Sequence, residues 1–232
     1  MQAVILSGGL ATRLGPLASK TPKAMADIQG KPFLEHQLEL LGRNGINDVV
    51  LCVGHLAEQI ENYFKNGKAF GAKIQYSDEG AHLMGTAGAL KKASALLQET
   101  FFMLDGDSYL PLDYQEVMGR FKERHKPAMM VVHKNHDLYD KSNVVIDGEL
   151  VKAYDRSQKK PGMVHIHAGL SVLSKETLAL IPPGPSSQDE LWAQLIARNE
   201  LLAFETTQRF REIGSLSGLE EFRHFAKHGK IY

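Results

Sequence analysis

Short apolar runs alternate with amphipathic stretches four times in the first half of the sequence, and this alternation limits the possible fold more than any other feature. Each apolar run has the length of a buried strand, and glycine or acidic residues follow it. The predicted strands are residues 4–6, 48–53, 73–77 and 100–104. Strands that alternate with helices form an open parallel sheet that helices cover on both faces. The sequence therefore predicts an α/β fold with a Rossmann-like, mostly parallel sheet.

Helix boundaries in this pattern are predicted from proline, glycine and acidic residues. Pro32 is expected in the first turn of a helix, and Gly45 is expected to end that helix. In the second half of the chain, Asp189 is expected to cap a helix that runs to about Arg198. A closing helix is predicted over residues 216–228.

A hairpin signal opens the second half of the chain. Asp147 and Gly148 separate two short β-type runs between residues 143 and 154, which is the strongest short-range sign of a β-hairpin. Further strands are predicted over residues 163–173 and 201–206. We therefore expect a small β-hairpin lobe beside the main sheet.

Composition argues against several classes of partner. The 232 residues include 27 basic and 27 acidic side chains, a balance that disfavours nucleic acid or a membrane surface held by bulk charge. A chain of this length fits one domain. Cys52 is the single cysteine, so no internal disulfide can form, and its apolar neighbours predict a core position. No run approaches the roughly 20 apolar residues of a membrane span and none reads as a signal peptide, so a cytoplasmic monomer or homodimer is expected.

A basic, glycine-rich loop follows the first predicted strand. Residues 7–9 (Ser-Gly-Gly) end the strand, and Arg13 and Lys23 follow with no acidic residue between them. Adjacent glycines let backbone N–H groups approach an anion closely, and the two cations can bind phosphate oxygens. The loop matches neither a P-loop nor the dinucleotide-binding fingerprint, because Pro16 and Pro22 forbid the long helix of the latter. We interpret it as a site for a polyphosphate.

Two acidic turns are expected on the same rim as this loop. One is the Asp-Glu pair at 78–79, and the other is the Asp-Gly-Asp turn at 105–107. Because parallel strands present their carboxyl ends at one edge of the sheet, both turns should meet the loop there. Asp107 is then a candidate ligand for Mg²⁺, which prefers hard oxygen atoms. Asp105 fits either a binding role or an Asx-turn.

These segments, in this order, resemble the signature of the sugar-1-phosphate nucleotidyltransferases. The loop reads LSGGLATRLGPL and then TPKAM, and the later segments read GTAG at 85–88, LDGD at 104–107, AGL at 168–170 and EIG at 212–214. The resemblance covers nearly the whole chain. The sequence departs from the family pattern at Ala11 and Gly15 in the loop, and at Glu212, where relatives usually carry aspartate.

The resemblance implies which residues contact the two substrates. A nucleoside triphosphate is expected to contact the residues Leu6, Ser7, Gly8, Gly9, Arg13, Lys23, Glu79, Gly85, Thr86 and Asp105. A sugar 1-phosphate is expected to contact Gly106, Asn143 and Gly169, with Lys159 and Lys160 as further candidates for its phosphate. The chain then divides into a nucleotide-binding half (1–133), a sugar-binding part (134–215) and the C-terminal helix (216–232).

The resemblance also assigns the chemistry. Arg13, Lys23 and Asp107 are the expected catalytic residues, and Asp107 and Glu212 are the expected ligands of Mg²⁺. The sugar phosphate attacks the α-phosphorus of the triphosphate, and because it is already ionised, no protein nucleophile or general base is needed. His165 and His167 alternate on one predicted strand but have no partner at the spacing of a zinc site, so we do not expect zinc.

Two other functions stay open at this point. The Asp-Gly-Asp turn at 105–107 also matches the Asp-x-Asp metal motif of glycosyltransferases, although that class has no need of the basic loop. A non-catalytic sensor of nucleotide-sugars is favoured by the glutamate at position 212 and by nothing else in the sequence.

The nucleotide is predicted from the segment that precedes GTAG. Relatives that use UTP or dTTP commonly carry a glutamine there, whereas this chain reads EGAHLM from Glu79. A glutamate can accept hydrogen bonds from a donor-rich base edge, and guanine offers both N1–H and an exocyclic amine. The sequence looks most similar to the short heptose-1-phosphate guanylyltransferases, so GTP is the predicted donor. A uridylyltransferase for an N-acetylated sugar acid 1-phosphate is the alternative.

Overall fold

One sheet of nine strands forms the centre of the protein in the computed structural model, which describes residues 1–9, 21–80, 82–157 and 162–228. The described strands are β1 (Gln2–Leu6), β2 (Asp27–Ile28), β3 (Lys31–Pro32), β4 (Asp48–Val53), β5 (Lys73–Asp78), β6 (Thr100–Asp105), β7 (Ser108–Tyr109), β8 (Ala128–Lys134), β9 (Val144–Asp147), β10 (Leu150–Tyr154), β11 (His165–Ser174), β12 (Leu201–Thr206) and β13 (Arg211–Glu212). The described helices are α1 (Phe33–Arg43), α2 (Ala57–Phe64), α3 (Gly85–Lys92), α4 (Tyr114–Glu123), α5 (Gln188–Ala197) and α6 (Leu216–His228). Of the helices in these ranges, none is both long and apolar enough to cross a lipid bilayer.

The main sheet is mostly parallel, with two antiparallel strands in its second half. Its strand order is β5-β4-β1-β6-β11-β8-β12-β10-β9. β5, β4, β1 and β6 are parallel neighbours, as the alternation of strands and helices predicts. β11 lies antiparallel between β6 and β8, and β10 lies antiparallel to β12. The chain places β4 and β5 on one side of β1 and β6 on the other, so a ligand crevice is expected between β1 and β6.

Apolar side chains cover both faces of this sheet. Ala3 and Ile5 of β1 belong to one buried cluster, while Val4 between them belongs to the cluster on the opposite face. Continuous apolar runs of this kind are typical of strands buried on both sides. Cys52 lies in the second cluster, as its sequence context predicts, and burial raises the pKa of its thiol to about 12.

Two predicted helix starts are wrong by a residue or two. Pro32 precedes α1 instead of entering its first turn, because its ψ of 145° is extended. The helix α5 begins at Gln188, after the extended residue Ser187, so Asp189 lies inside the first turn and does not cap the helix. A carboxylate there still interacts favourably with the helix dipole. The predicted end of α1 is confirmed, since Gly45 takes a left-handed φ of 71° just beyond it.

The predicted hairpin is confirmed, but it belongs to the main sheet. β9 and β10 pair around a turn in which Gly148 has a φ of 57°. Leu150 of β10 is paired with Leu202 of β12, and Val144 of β9 is paired with His165 of β11. These pairings join the hairpin to the main sheet, which it extends at one edge.

A short ribbon outside the main sheet brings distant parts of the chain together. Its strands β7 and β13 are antiparallel, with Glu212 opposite Ser108. The N–H group of Ile213 donates a hydrogen bond of 2.9 Å to the carbonyl oxygen of Asp107. The helix α6 packs beside this ribbon and contributes the fully buried Phe222. Position 212 thereby lies next to position 107, as a shared metal site would need.

Candidate active site

A cavity of about 640 Å³ lies at the carboxyl ends of β1 and β6, where the strand order reverses. Its volume falls in the range of small-molecule sites. The predicted site residues that line it are Leu6, Ser7, Gly8, Gly9, Lys23, Glu79, Gly85, Thr86, Asp105, Gly106, Asp107, Asn143 and Glu212. Three further candidates, Arg13, Lys159 and Lys160, lie outside the described residues.

Gly106 holds the two central strands together at the edge of the cavity. Its N–H group donates a 3.1 Å hydrogen bond to the carbonyl oxygen of Leu6, the last residue of β1. A Cβ atom at position 106 would overlap that carbonyl oxygen. Glycine is therefore required for the close approach of two backbones, whatever contact this residue makes with a sugar.

Glu79 lies beneath the first turn of the glycine-rich loop. The residue is 8% exposed, and its Oε2 accepts a 2.5 Å hydrogen bond from the N–H group of Met84. A Cβ atom on Gly8 would overlap Oε1 of the same carboxylate. Burial raises the pKa of Glu79, and the Met84 N–H group opposes that shift. Glu79 therefore supports the loop structurally, and its predicted contact with a base would use the oxygen that faces Gly8.

The start of α3 forms another wall of the cavity. The N–H groups of Ala87 and Gly88 donate hydrogen bonds of 3.0 and 3.1 Å to the carbonyl oxygen of Ser186. Gly85 has a φ of 68°, and a Cβ atom there would overlap the same carbonyl oxygen. The hydroxyl oxygen of Thr86 accepts a 2.8 Å hydrogen bond from the N–H group of Gln188. This wall is consequently fixed by contacts between α3 and the start of α5.

Gly169 is placed behind the cavity wall. It lies in an irregular part of β11 and has a φ of 77°. A Cβ atom at this position would overlap the side chain of Ser108 and would come within 3.7 Å of the Cβ atom of Asp105. The structure thus gives Gly169 a packing role beneath the acidic turn, and it is not among the residues that line the cavity.

Lys23 and Asp107 form an ion pair on the cavity wall. The Lys23 Nζ atom lies 2.9 Å from Oδ2 of Asp107, and the two side chains are 19% and 24% exposed. The pair joins the loop after β1 to the turn after β6. A cation and a carboxylate that are both open to the cavity can each exchange partners when a phosphate and a metal ion arrive.

The carboxylate of Glu212 is engaged locally. It accepts hydrogen bonds from the N–H group of Gly214 and from the hydroxyl group of Ser215, the latter at 2.8 Å. Glu212 nevertheless lines the cavity, and the pairing of β13 with β7 sets it beside Asp107. The longer glutamate side chain thus reaches the start of α6 from a position where relatives usually carry aspartate.

The donor set of Asp107 and Glu212 fits a hard divalent cation. Both supply carboxylate oxygens, which Mg²⁺ prefers, and Mg²⁺ usually takes one or two carboxylates and completes its shell with phosphate and water. Within the described ranges, no group of three or more His, Cys, Asp or Glu side chains could hold a metal ion. A metal held by these residues would therefore depend on oxygens of the substrate.

Arg156 and His167 belong to the cavity wall although the sequence did not point to them as binding residues. Nη2 of Arg156 lies 3.8 Å from Oδ2 of Asp105, and Nδ1 of His167 lies 4.0 Å from the same oxygen. Burial raises the pKa of Asp105 to about 6, against the opposing effect of the Arg156 charge. Burial and the Arg156 charge lower the pKa of His167 to about 3, so its imidazole is neutral. Arg156 could have been inferred from its place directly after the predicted hairpin.

His165 and His167 do not share a site. His165 lies 2.9 Å from Oε2 of Glu205, whereas Nε2 of His167 lies 3.1 Å from the hydroxyl oxygen of Ser171. Of the two histidines, His167 lines the cavity. The alternation of the two residues on β11 therefore reflects two separate hydrogen-bonded positions.

The strand order and the place of the cavity are those of α/β proteins that bind ligands where the strand order reverses. The nucleotidyl transferase family model matches residues 2–143. A D-glycero-alpha-D-manno-heptose 1-phosphate guanylyltransferase from Campylobacter jejuni is 35% identical over 176 residues, which are 76% of this chain and 77% of that protein. The chain belongs to the nucleotidyl transferase family.

Two further comparisons define its neighbourhood. A UTP–glucose-1-phosphate uridylyltransferase from Synechocystis is 32% identical over 201 residues, which are 79% of this chain but 52% of that protein. The chain thus spans about half the length of this relative. The solved structure of HddC from Yersinia pseudotuberculosis, in complex with GMP-PN, is similar with a TM-score of 0.81 and 25% identity, over 96% of this chain and 98% of that one.

Proposed function

We propose that this protein transfers a nucleoside monophosphate from a nucleoside triphosphate, preferably GTP, to a sugar 1-phosphate of the heptose or hexose type. The products are a nucleoside diphosphate-sugar and pyrophosphate. The observation that carries the proposal is the ion pair of Lys23 and Asp107, at 2.9 Å, on a cavity whose lining includes residues of every described family-signature segment except AGL at 168–170.

The proposed reaction is a direct displacement at the α-phosphorus. An oxygen of the sugar phosphate attacks, a new P–O bond forms, and the bond to the bridging oxygen breaks so that its electron pair leaves with pyrophosphate. Because both reactants are anions, their repulsion must be offset before they can meet. Lys23 supplies one positive charge, and Arg13 is proposed to supply another. A bound Mg²⁺ held by Asp107 and Glu212 would add charge neutralisation at the phosphates.

The backbone of the glycine-rich loop is the proposed cradle for the triphosphate. Ser7, Gly8 and Gly9 line the cavity directly after β1. Among the described residues, crowding of the kind seen at Gly8 does not occur at Gly9, where no described atom lies within 4 Å of the place that a Cβ atom would take. Main-chain N–H groups in such a turn bind phosphate oxygens without regard to the base.

The preference for GTP rests on the segment from Glu79 to Gly85. No glutamine occurs in it, and the Glu79 carboxylate lines the cavity with Oε2 bound to Met84 and Oε1 directed toward Gly8. An acceptor of this kind suits the two donors on the edge of guanine. The relative from Campylobacter jejuni is named for guanylyl transfer, and the similar HddC structure contains GMP-PN.

Uridylyl transfer is the second candidate. The Synechocystis relative is named for UTP and glucose 1-phosphate, at an identity of 32% against 35% for the guanylyltransferase. Within this candidate, an N-acetylated sugar acid 1-phosphate is the alternative sugar substrate. Glycosyl transfer from a nucleotide-sugar is disfavoured, because the nucleotidyl transferase model includes the segment that carries the Asp-x-Asp match.

Pyrophosphate release tests the proposed function directly. The purified protein is incubated with Mg²⁺, each of GTP, UTP, dTTP, CTP and ATP in turn, and a panel of heptose, hexose and sugar acid 1-phosphates. We expect release that requires both substrates and is fastest with GTP. A clear preference for another triphosphate would overturn the choice of nucleotide, and no release with any pair would overturn the enzyme class.

A further inference from the structure

The acidic residue at the end of β6 faces a cation without bonding to it. Oδ2 of Asp105 and Nη2 of Arg156 are 3.8 Å apart, beyond the distance of a good hydrogen bond. Both residues line the cavity. A ligand oxygen can lie about 2.8 Å from each of these two atoms at once, because their separation is well below twice that length. One ligand oxygen beside the pair can therefore contact both a strong acceptor, the Asp105 carboxylate, and a strong donor, the Arg156 guanidinium group.

The guanidinium group is held in place by its neighbours. Nε of Arg156 donates a 2.6 Å hydrogen bond to the hydroxyl oxygen of Tyr154. The Tyr154 ring packs edge-on against His167 at a centroid distance of 6.3 Å, and His167 packs edge-on against Trp192 at 6.1 Å. Trp192 is fully buried. A row of rings that is anchored in the core thus fixes the cation on the cavity wall, and such preorganisation favours selective binding.

The position of this pair lies on the side of the cavity assigned to the sugar. Asn143, which the family resemblance assigns to the sugar, accepts a 3.0 Å hydrogen bond from the backbone N–H group of His167. The Gln188 side chain also approaches Asp105 and opposes the rise in the pKa of its carboxyl group. Most of the groups that approach the Asp105 side chain therefore come from the second half of the chain, away from the glycine-rich loop.

The Asp105 carboxylate and the Arg156 guanidinium group together favour a hydroxyl group as their ligand. A hydroxyl can donate to the Asp105 carboxylate and accept from the Arg156 guanidinium at the same time, whereas a carboxylate would meet the negative charge of Asp105. Three more aspartates, at positions 137, 140 and 155, line the same cavity. Across the described lining, acidic side chains therefore outnumber the cations Lys23, Lys141 and Arg156, which disfavours a sugar acid.

We infer that Asp105 and Arg156 together bind one hydroxyl group of the sugar 1-phosphate, and that this pair selects neutral, hydroxyl-rich sugars over sugar acids. The inference rests on the proposed function and deepens it, because it assigns the sugar specificity to two residues that are distant in sequence. The family resemblance assigns Asp105 to the nucleotide, whereas this inference makes it a sugar-binding residue.

Kinetics with deoxygenated substrates test the inference. The wild-type protein, Arg156→Gln and Asp105→Asn are compared with the best sugar 1-phosphate and with its monodeoxy analogues. We expect both variants to raise the KM for the sugar 1-phosphate about tenfold or more while the KM for the triphosphate stays within about twofold. We also expect one monodeoxy analogue to lose about 100-fold in kcat/KM with the wild-type protein and less than about threefold with either variant.

The matched control is Arg124→Gln, which removes an exposed arginine whose partner is Glu149. It should leave both KM values unchanged. Asp105→Asn keeps the shape of the side chain, so it preserves the test if Arg156→Gln fails to fold. The inference is overturned if the variants raise both KM values equally, if every monodeoxy analogue is penalised alike in wild type and variants, or if a sugar acid 1-phosphate is the preferred substrate. A wild-type protein that is inactive with every sugar 1-phosphate would instead overturn the proposed function and the inference with it.

Discussion

The two sides of the cavity consist of different chemical groups, backbone on one side and side chains on the other. On the side of β1 and α3, glycines press against carbonyl oxygens, as Gly106 does against Leu6 and Gly85 against Ser186. On the opposite side the wall consists of side chains, with Arg156 held by an aromatic row that ends in the core. Backbone groups keep the same arrangement whatever the side chains are, so we expect this side to bind the phosphate groups that all nucleoside triphosphates share. A wall of side chains, by contrast, changes with single substitutions.

This difference leads us to expect that the specificity for the sugar lies in the second half of the chain. The glycine side offers main-chain N–H groups, whose number and direction hardly depend on sequence. The side-chain wall offers a guanidinium group and a neutral imidazole, each within about 4 Å of the Asp105 carboxylate, and all three groups are side chains that a single substitution changes. We call the glycine side, formed by β1 and α3, the first wall and the opposite, side-chain side the second wall. We expect substitutions in the first wall to affect chemistry or folding, and substitutions in the second wall to affect the choice of sugar.

The largest expected effect belongs to the ion pair between these walls. Asp107→Asn keeps the shape of the side chain but removes the charge that faces Lys23 and the proposed metal ion. We expect pyrophosphate release to fall about 1000-fold, the upper range for loss of one electrostatic group at a reacting centre. The measurement is the rate of pyrophosphate release across a range of Mg²⁺ concentrations. Asp147→Asn, at the exposed turn of the hairpin, is the control, and an equal loss in both variants would contradict the assignment.

The second prediction concerns the neutral imidazole in the side-chain wall. The pKa of His167 is lowered from 6.5 to about 3 by burial, so the unfolded chain binds a proton in this interval and the folded protein does not. Stability should therefore fall as the pH drops below 6.5, by about 3 kcal/mol at pH 4 from this residue. Urea unfolding at pH 7.5 and pH 4 measures this change. His167→Gln should show a smaller pH dependence than the wild type.

The control for this comparison is His224→Gln on the exposed face of α6. It should keep the full pH dependence of the wild type. If His167→Gln and His224→Gln unfold with the same dependence on pH, the imidazole of His167 is not held neutral in the folded protein. The second wall would then be more open to water than the packing of Tyr154 and Trp192 indicates.

The third prediction tests whether the first wall is sterically fixed. A Cβ atom on Gly106 would overlap the carbonyl oxygen of Leu6, whereas a Cβ atom on Gly9 would meet no atom of the described residues within 4 Å. We expect Gly106→Ala to lower the free energy of unfolding by about 2–3 kcal/mol, the usual range for overpacking. Gly9→Ala should change it by less than about 0.5 kcal/mol. Equal urea midpoints for the two variants would show that the backbone at Leu6 and Gly106 can shift to accommodate the added methyl group.

Much of the first wall follows from the sequence alone. The strands predicted over residues 4–6, 48–53 and 100–104 correspond to β1, β4 and β6 of the structure. The meeting of Lys23 with the 105–107 turn follows from the rule that parallel strands present their carboxyl ends at one edge. These features depend on local periodicity and on one rule of topology, and both can be read from one sequence.

The second wall could not be predicted in the same way. Nothing in the periodicity of residues 163–173 shows that β11 is antiparallel between β6 and β8, since strand order is decided by long-range pairing. The approach of Arg156 to Asp105 depends on the same long-range arrangement of the second half of the chain. The sequence predicts that Glu212 acts together with Asp107. It does not predict the hydrogen bonds that the Glu212 carboxylate accepts from Gly214 and Ser215, because these depend on where α6 begins.

The smallest expected effect separates binding from stability within the second wall. Asp105 has a side chain that is 17% exposed, and its Oδ2 atom lies 3.8 Å from the Arg156 guanidinium group, too far for a hydrogen bond that would compensate its charge fully. Asp105→Asn removes that charge at constant shape, and we expect a gain of about 1 kcal/mol in the free energy of unfolding at pH 7.5. Urea unfolding measures the gain, with Asp147→Asn as the exposed control. A carboxylate kept at a cost to stability is typical of a binding residue. If Asp105→Asn is instead less stable than the wild type, the carboxylate serves to hold Arg156, and the sugar-binding role would need another residue.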